Sequence, residues 1–563
     1  MAHLFSHLNP VPSFPPYTGP YAVGTVDVEI PVADLPSPSP APDPKLSTVH
    51  FRIFYPCEEP QKHPKRTYWI PDPQREYLGA YARFLGAGPS VAELFSCVER
   101  AHTSSHAIKA NGTVVSRYLP RLLYHVTMPV FQGARLLPAP TKKKRWPVMV
   151  FSHGLGGSRN AYSHLLGSLS SHGVVVVAPD HRDGSAPMAL IKSVKQRGKV
   201  ERVEYRTVPH KPSPEVEEGR SQQLRIRLWE LGLAHEAMLK IDRGDEVVNL
   251  SVSDQHPDDS LSMFRSTLGL HEPGSITWAG HSFGAATVVQ FVKSVFWRPS
   301  QRQGPEPYLA DYQPLYTPST GSHIVHQITP KSPVTLLDLW TLPLRGKPMR
   351  WLWNKPLPSY TPDGPGGANL LTILSEAFFK WRGNLTQTKR VLSSDPSTEH
   401  PASLAKPGPH IFYPVSSAHL SQSDFGILFP RVTKMVFKAD EPERTLRLNT
   451  RAILQVLRLN GIEVADTSRI DMEEEEHAVE KRPNGVQNGH VKGVVAKNDG
   501  SPAKQDWKIL ATDGSVHGWI SLSVDDDSGT RGTNGVTDAD AMPSEAVMQN
   551  EVMNIEEGEK ERL

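Results

Sequence analysis

The stretch Gly280-His281-Ser282-Phe283-Gly284 carries the clearest chemistry in this chain. It fits G-x-S-x-G, follows a short apolar run, Ile276-Thr-Trp-Ala279, and precedes a helical one, Ala285 to Phe291. Strand, tight turn and helix in that order are what a nucleophile elbow requires, because the turn lifts the serine oxygen to the edge of a sheet. A serine hydroxyl is a weak nucleophile at its own pKa, so a base must take its proton. With such an elbow the acid and then the histidine follow the serine along the chain. Asp338 ends the apolar run Val334 to Leu337, and His419 follows the run His410 to Val415. These positions set Asp338 above Asp311, Asp363 and Glu376, and His419 above His400 and His410.

A second signal is Phe151-Ser-His153-Gly154-Leu155-Gly156-Gly157-Ser158 after the apolar run Val148 to Phe151. A glycine-rich loop after an early strand can aim a backbone N–H at the oxyanion of a tetrahedral intermediate. Its partner would be the N–H of the residue after the nucleophile, so the candidate donors are Leu155 and Phe283. A phosphate-binding loop is the rival reading. It fails because neither G-x-x-x-x-G-K-[ST] nor G-x-G-x-x-G is present.

Strand-like and helix-like runs alternate around these residues. Val26, Val28 and Ile30 alternate with polar residues, and Val49, Phe51, Ile53 and Tyr55 do the same, so two strands are expected there. Val148–Phe151, Val174–Ala178, Ile276–Ala279, Val334–Leu337 and Leu370–Leu374 are short, unbroken and apolar, as buried parallel strands are. Leu224, Leu228, Leu231, Ala234 and Met238 lie at helical spacing. A second helix is expected over 443–460, with Gly461 as its stop. The alternation predicts an α/β fold with a mostly parallel sheet and helices on both faces. Three regions follow: a Pro-rich N-terminal arm over 1–46, a catalytic domain over 47–465 with a loop insertion at 298–330, and an acidic, mostly disordered tail over 466–563.

Composition narrows the function classes. The 563 residues are 38% hydrophobic, ample for a large core, and the 52 prolines point to much loop. Two cysteines, Cys57 and Cys97, exclude a disulfide-stapled secreted domain. No apolar run reaches the ~18 residues of a membrane span, and no secretory leader is visible. A net charge of +2 hides an uneven chain, because residues 471–563 hold 9 basic against 20 acidic side chains. The remaining basic body reads as a solvated surface, and no nucleic acid partner is expected. The Asn-X-Ser/Thr triplets at Asn111, Asn249 and Asn384 read as chance. In the tail, Trp507, Ile509, Leu510, Trp519 and Ile520 are an apolar patch that suits a hairpin or a docking peptide.

The chain resembles the platelet-activating factor acetylhydrolases of the plasma and type II intracellular kind, in elongated form. Four blocks carry the resemblance: Tyr68-Trp-Ile-Pro71 with Glu76-Tyr77 and Phe84-Leu-Gly86; Val150 to Gly156; Asp180-His-Arg-Asp183 with Ser185-Ala186; and Gly280 to Gly284 with Ala286-Thr287. Leu337-Asp-Leu-Trp340 and Ser417-Ala-His419 with Asp424-Phe425 match more weakly. The resemblance implies an α/β-hydrolase fold and a calcium-independent serine esterase that removes short sn-2 acyl groups from phospholipids such as 1-alkyl-2-acetylglycerophosphocholine. It implies Ser282 as nucleophile, His419 as base and acid, Asp338 as the residue orienting the imidazole, and Leu155 and Phe283 as oxyanion donors. Trp340 is a candidate substrate contact, and His181-Arg182-Asp183 a structural brace. No metal or organic cofactor is expected. Ala285 departs from the family, which commonly has a second glycine there, and the 298–330 insertion would lengthen the path from Ser282 to Asp338 and cover the pocket.

A phospholipid substrate implies contact with a membrane surface from a cytoplasmic protein. Tyr118 to Phe131, with Lys142 to Arg145 nearby, is one candidate surface, although a packed loop fits it as well. A carboxylesterase for small soluble esters keeps the same triad. An inactive hydrolase fold used for binding is the reading from another class, and the intact elbow, acid and histidine weigh against it. No partner for the tail can be named from its residues.

Overall fold

The computed structural model describes residues 11–60, 66–84, 109–110, 113–114, 122–196, 198–251, 261–299, 309, 311–398, 406–472 and 505–525. Eleven strands form one sheet: β1 (Ala22–Pro31), β2 (Thr48–Cys57), β3 (Arg66–Tyr68), β4 (Thr127–Gln132), β5 (Val148–Ser152), β6 (Val175–Pro179), β7 (Thr277–His281), β8 (Val334–Leu337), β9 (Leu370–Ile373), β10 (His410–Pro414) and β11 (Trp519–Leu522). Across the sheet they lie in the order β11-β10-β9-β8-β7-β5-β6-β2-β1-β4-β3. The six from β10 to β6 run parallel, and antiparallel strands flank them on both sides. This is the mostly parallel sheet expected of an α/β hydrolase, reached by βα crossovers that only a parallel sheet needs.

The parallel strands are apolar on both faces because both faces are covered. In β5, Val148 and Val150 join one apolar cluster and Met149 and Phe151 the other. The first cluster holds helices α3 (Pro214–Arg243) and α4 (Phe283–Phe296). The second holds α2 (Ser163–Ser171) and α9 (Pro442–Leu459). Helix α3 starts with Ser213 accepting the Val216 N–H at 3.2 Å and ends at Gly244 with φ 76°, a left-handed stop that suits glycine. In α9 the buried residues include Leu446, Ile453, Leu454 and Leu457, the expected stripe.

Several expectations are altered in detail. Strand β1 lies inside the proline-rich stretch yet pairs with β2 and β4, so the sheet begins well before residue 47. In the 118–131 segment residues 118–121 lie outside the described residues. The rest enters β4, where Met128 and Val130 are buried, so this part is core and not a lipid-facing surface. The described part of the 298–330 insertion packs on two helices: Tyr316 meets Phe291 of α4 at 5.4 Å, and His323 bonds Glu236 of α3 at 2.8 Å.

Part of the acidic tail belongs to the domain. Strand β11 pairs antiparallel with β10, and Trp519 stacks on Phe412 at 5.2 Å with 11° between the rings. Ile509 is fully buried, and Asp506 takes two bonds from Arg451 at 2.6 and 3.1 Å. Ile509 and Trp519 belong to the apolar patch, of which Trp507 and Ile520 stay exposed. Its apolar and paired groups bury enough surface to hold it, in contrast to the polar composition around it.

Candidate active site

Ser282 stands between β7 and α4 with φ 57° and ψ −116°, a strained geometry held by its surroundings. Its N–H donates to Leu337 O at 2.8 Å. The flanking glycines are required: a Cβ at Gly280 would run into the Gly284 carbonyl, and one at Gly284 into the Ser152 carbonyl. Gly154 lies against the serine, so a Cβ there would sit 3.1 Å from Ser282 Cβ. Ala285 is fully buried in α4, so the departure from glycine is accommodated in the core.

Asp338 follows β8 with φ 45°, and His419 follows β10 on a short 3-10 turn, His419–Gln422. The topology brings them together: His419 Nδ1 bonds Asp338 Oδ2 at 2.8 Å, and Asp338 Oδ1 accepts the Ser375 N–H at 2.5 Å. Asp338 is fully buried. Burial pushes its pKa up, but polar contacts with His281 and His419 outweigh this and hold the carboxyl below its usual range. With Nδ1 committed to Asp338, Nε2 is the ring nitrogen left to act as base. Phe378 stacks on the imidazole at 4.5 Å and 12°, which fixes its plane. Of the rival acids, Asp311 and Asp363 are exposed, and Glu376 bonds Lys380 and the Ser416 N–H. His400 lies outside the described residues, and His410 sits at the start of β10.

Phe283 follows the elbow serine directly, and Leu155 follows Gly154, which lies against Ser282. Phe283 is the first residue of α4, where a backbone N–H has no partner within the helix. Gly156, at φ 67°, turns the loop, and its N–H donates to Ser185 O at 2.8 Å. The buried guanidinium of Arg227 braces this loop from below. It donates to His153 O at 2.8 Å, Ser185 Oγ at 2.6 Å and Asp183 Oδ2 at 2.7 Å, and lies 4.5 Å from the Phe283 ring centre. The His181-Arg182-Asp183 block is therefore a brace. His181 and Arg182 bond Glu230 at 2.7 and 2.9 Å, and Asp183 holds Arg227. Trp340 is 3% exposed and enclosed by Phe283, His210 and the Arg220 guanidinium.

Two residues near the triad were missed in the sequence. Asp424, five residues past His419, accepts bonds from Ser163 N, Ser163 Oγ, His164 N and Trp69 Nε1 at 2.6–3.0 Å. It thereby ties the histidine loop to α2 and to the Tyr68–Pro71 block; its only signal was membership of the matching block around His419. His281, inside the elbow motif, is buried against Asp338, with Nε2 3.9 Å from Oδ2. The ligand atoms of His281, Asp338 and His419 lie within 4.8 Å of one another. Because His419 and Asp338 already bond each other, proton transfer is the chemistry this arrangement offers.

A family model described as platelet-activating factor acetylhydrolase, isoform II, matches residues 7–104 and 98–298. A putative phospholipase A2 of Schizosaccharomyces pombe is 28% identical over 475 residues, covering 80% of this chain and 92% of that protein. A platelet-activating factor acetylhydrolase of Bos taurus is 29% identical over 246 residues, covering 43% of this chain and 46% of that protein. The chain thus spans about half the length of the bovine relative. A ferulic acid esterase from Streptomyces cinnamoneus aligns over 79% of this chain and 92% of its own, at 15% identity and a TM-score of 0.36, too distant to bear on the site. The chain belongs to the platelet-activating factor acetylhydrolase isoform II family.

Proposed function

We propose that this protein hydrolyses the short sn-2 acyl ester of phospholipids such as 1-alkyl-2-acetylglycerophosphocholine through an acyl-enzyme. The observation that carries this reading is the Asp338–His419 bond at 2.8 Å between residues at two strand ends, in a chain of the family that bears the activity's name. Ser282 Oγ attacks the ester carbonyl while His419 Nε2 takes its proton. Leu155 and Phe283 N–H groups receive the oxyanion. The imidazolium then protonates the departing lysophospholipid alkoxide, leaving acyl-Ser282. Water, deprotonated by His419, attacks the acyl carbonyl and releases the acid, returning the proton to Ser282.

One surface favours a lipid substrate over a small soluble ester. Helix α8 (Pro430–Phe437), eleven residues past His419, exposes Val432, Met435 and Val436, with Met435 83% exposed. Arg431, Lys434 and Lys438 lie among them, and basic charge beside apolar side chains suits an anionic membrane surface. No helix among the described residues is long and apolar enough to cross a membrane, so this reading has the protein lie on one. A cytoplasmic setting suits the free, buried thiol of Cys57. The test compares kcat/KM for 2-acetyl and 2-palmitoyl phosphocholines in vesicles with that for a soluble acetate ester. Preference for the acetyl phospholipid supports the reading; preference for the soluble ester discards the phospholipid and keeps the triad.

A further inference from the structure

Behind the triad lies a chain of polar contacts that the mechanism above does not use. The Gly154 N–H can only donate, and it donates to Tyr162 Oη at 3.1 Å. Tyr162 Oη lies 2.8 Å from His281 Nδ1, and both side chains are buried. His281 Nε2 has no hydrogen-bond partner among the described residues and faces Asp338 Oδ2 at 3.9 Å. The His281 ring also lies 4.3 Å from the His419 ring, so Asp338 sits between two histidines.

The polarity of this chain follows from its ends. With its oxygen accepting from Gly154, the Tyr162 hydroxyl has its own proton to give, and His281 Nδ1 is the acceptor in reach. Nδ1 then carries the lone pair and Nε2 the proton. That tautomer points an N–H at a buried carboxylate, whereas the other would point a lone pair at it. Burial, and next the neighbouring His419, push His281 down to about 4, so the ring is neutral where a hydrolase works.

We propose that His281 is a positioning residue for the hydrolytic reaction, second to His419 as a donor towards Asp338, and that Tyr162 sets its tautomer from the glycine loop that bears Leu155. This rests on the Ser282–His419–Asp338 reading and deepens it. The two halves of the catalytic apparatus, oxyanion loop and acid, are thereby coupled through one polar chain. Asp338 shares its charge between His281 Nε2–H, the Ser375 N–H and His419. Removing the His281 share makes Asp338 draw harder on the His419 proton, which favours imidazolium. His419 must be neutral to take the Ser282 proton, so the acid limb of the rate profile moves to higher pH.

Other charges near the chain are already paired. Glu376 bonds Lys380 Nζ and Ser416 N at 2.6 and 2.5 Å. The titratable groups acting on Tyr162 are Arg227, Tyr81 and Asp424, and Arg227 and Asp424 are held as described above.

The experiment measures kcat and KM for a soluble acetate ester from pH 5 to 9 for the wild type, Tyr162→Phe, His281→Leu, His281→Gln and the Tyr162→Phe/His281→Leu double variant. Tyr162→Phe is nearly isosteric and reports even if His281→Leu fails to fold. The expected result is an acid limb raised by roughly half a pH unit in Tyr162→Phe and more in His281→Leu, with kcat falling and KM little changed. His281→Gln, which can accept from Tyr162 and donate to Asp338, recovers most of the loss, and the double variant is no worse than His281→Leu. Unshifted acid limbs with additive losses would overturn the proposal and leave His281 as packing. A wild type that no fluorophosphonate labels would remove the Ser282 reading itself, and the proposal with it.

Discussion

Asp338→Asn separates the orienting role of the carboxylate from its role in the fold. Asp338 Oδ1 accepts from the Ser375 N–H at 2.5 Å, and a backbone N–H can only donate. The asparagine must therefore place its oxygen there and turn its NH2 towards His419. His419 Nδ1, at 2.8 Å in the wild type, then has to accept, which puts the ring proton on Nε2, the nitrogen that should take the Ser282 proton. The Ser375 N–H and His419 Nδ1 each keep a partner of the right kind, so stability changes by no more than about 1–2 kcal/mol, while the productive tautomer is lost. Triad hydrolases with this change lose about 10⁴ in kcat, or roughly 5.5 kcal/mol of barrier. The assay is hydrolysis of a soluble acetate ester at pH 8 beside a thermal melt. Folded Asp338→Asn protein that retains more than about a tenth of the wild-type kcat would refute the assignment of Asp338.

Other perturbations test the supports. Arg227→Met leaves Asp183 buried without its cation and frees His153 O; a loss of about 3–5 kcal/mol should appear as a lowered urea midpoint. Trp519→Ala removes a ring that is 2% exposed and stacked on Phe412, so about 3–5 kcal/mol should be lost, read by chemical denaturation; an unchanged midpoint would mean that β11 is not part of the cooperative unit. Asp27 is partly buried, which raises its pKa, but Arg52 and Arg159 outweigh this and hold it far below the usual range. Because the folded pKa is depressed, its contribution is present above about pH 4 and is lost as pH falls; Asp27→Asn should flatten the acid side of the stability curve. Met435→Glu with Val432→Glu should weaken sedimentation with anionic vesicles and leave soluble-ester turnover unchanged.

The candidate triad was legible because three strand ends announce themselves. Ser282, Asp338 and His419 each follow a short apolar run, and in a parallel sheet successive strands end on the same edge. The glycine-rich loop after β5 was legible for the same reason. What the residues did not disclose is what lies between elements far apart in sequence. The bonds from Trp69 and Ser163 to Asp424, or from Tyr162 to His281, span more than a hundred residues and leave no periodicity behind. The 118–131 segment left two readings open, because alternating apolar residues look alike on a core strand and on a lipid-facing loop; its described part packs. The tail strand was visible only as an apolar patch in acidic sequence, since pairing with β10 depends on an edge the local residues do not describe. The packing of Arg220 and Phe283 on the Trp340 ring likewise joins residues far apart in sequence.

The central claim is that Ser282, drawing on His419 and Asp338, cleaves the sn-2 ester of a short-chain phospholipid. Acetate release from 1-alkyl-2-acetylglycerophosphocholine in EDTA, wild type beside Ser282→Ala, tests it most directly. The account predicts release by the wild type and a loss of roughly 10³-fold or more in the variant. Equal release by both proteins, or none by a wild type whose Ser282 still takes a fluorophosphonate label, would contradict it.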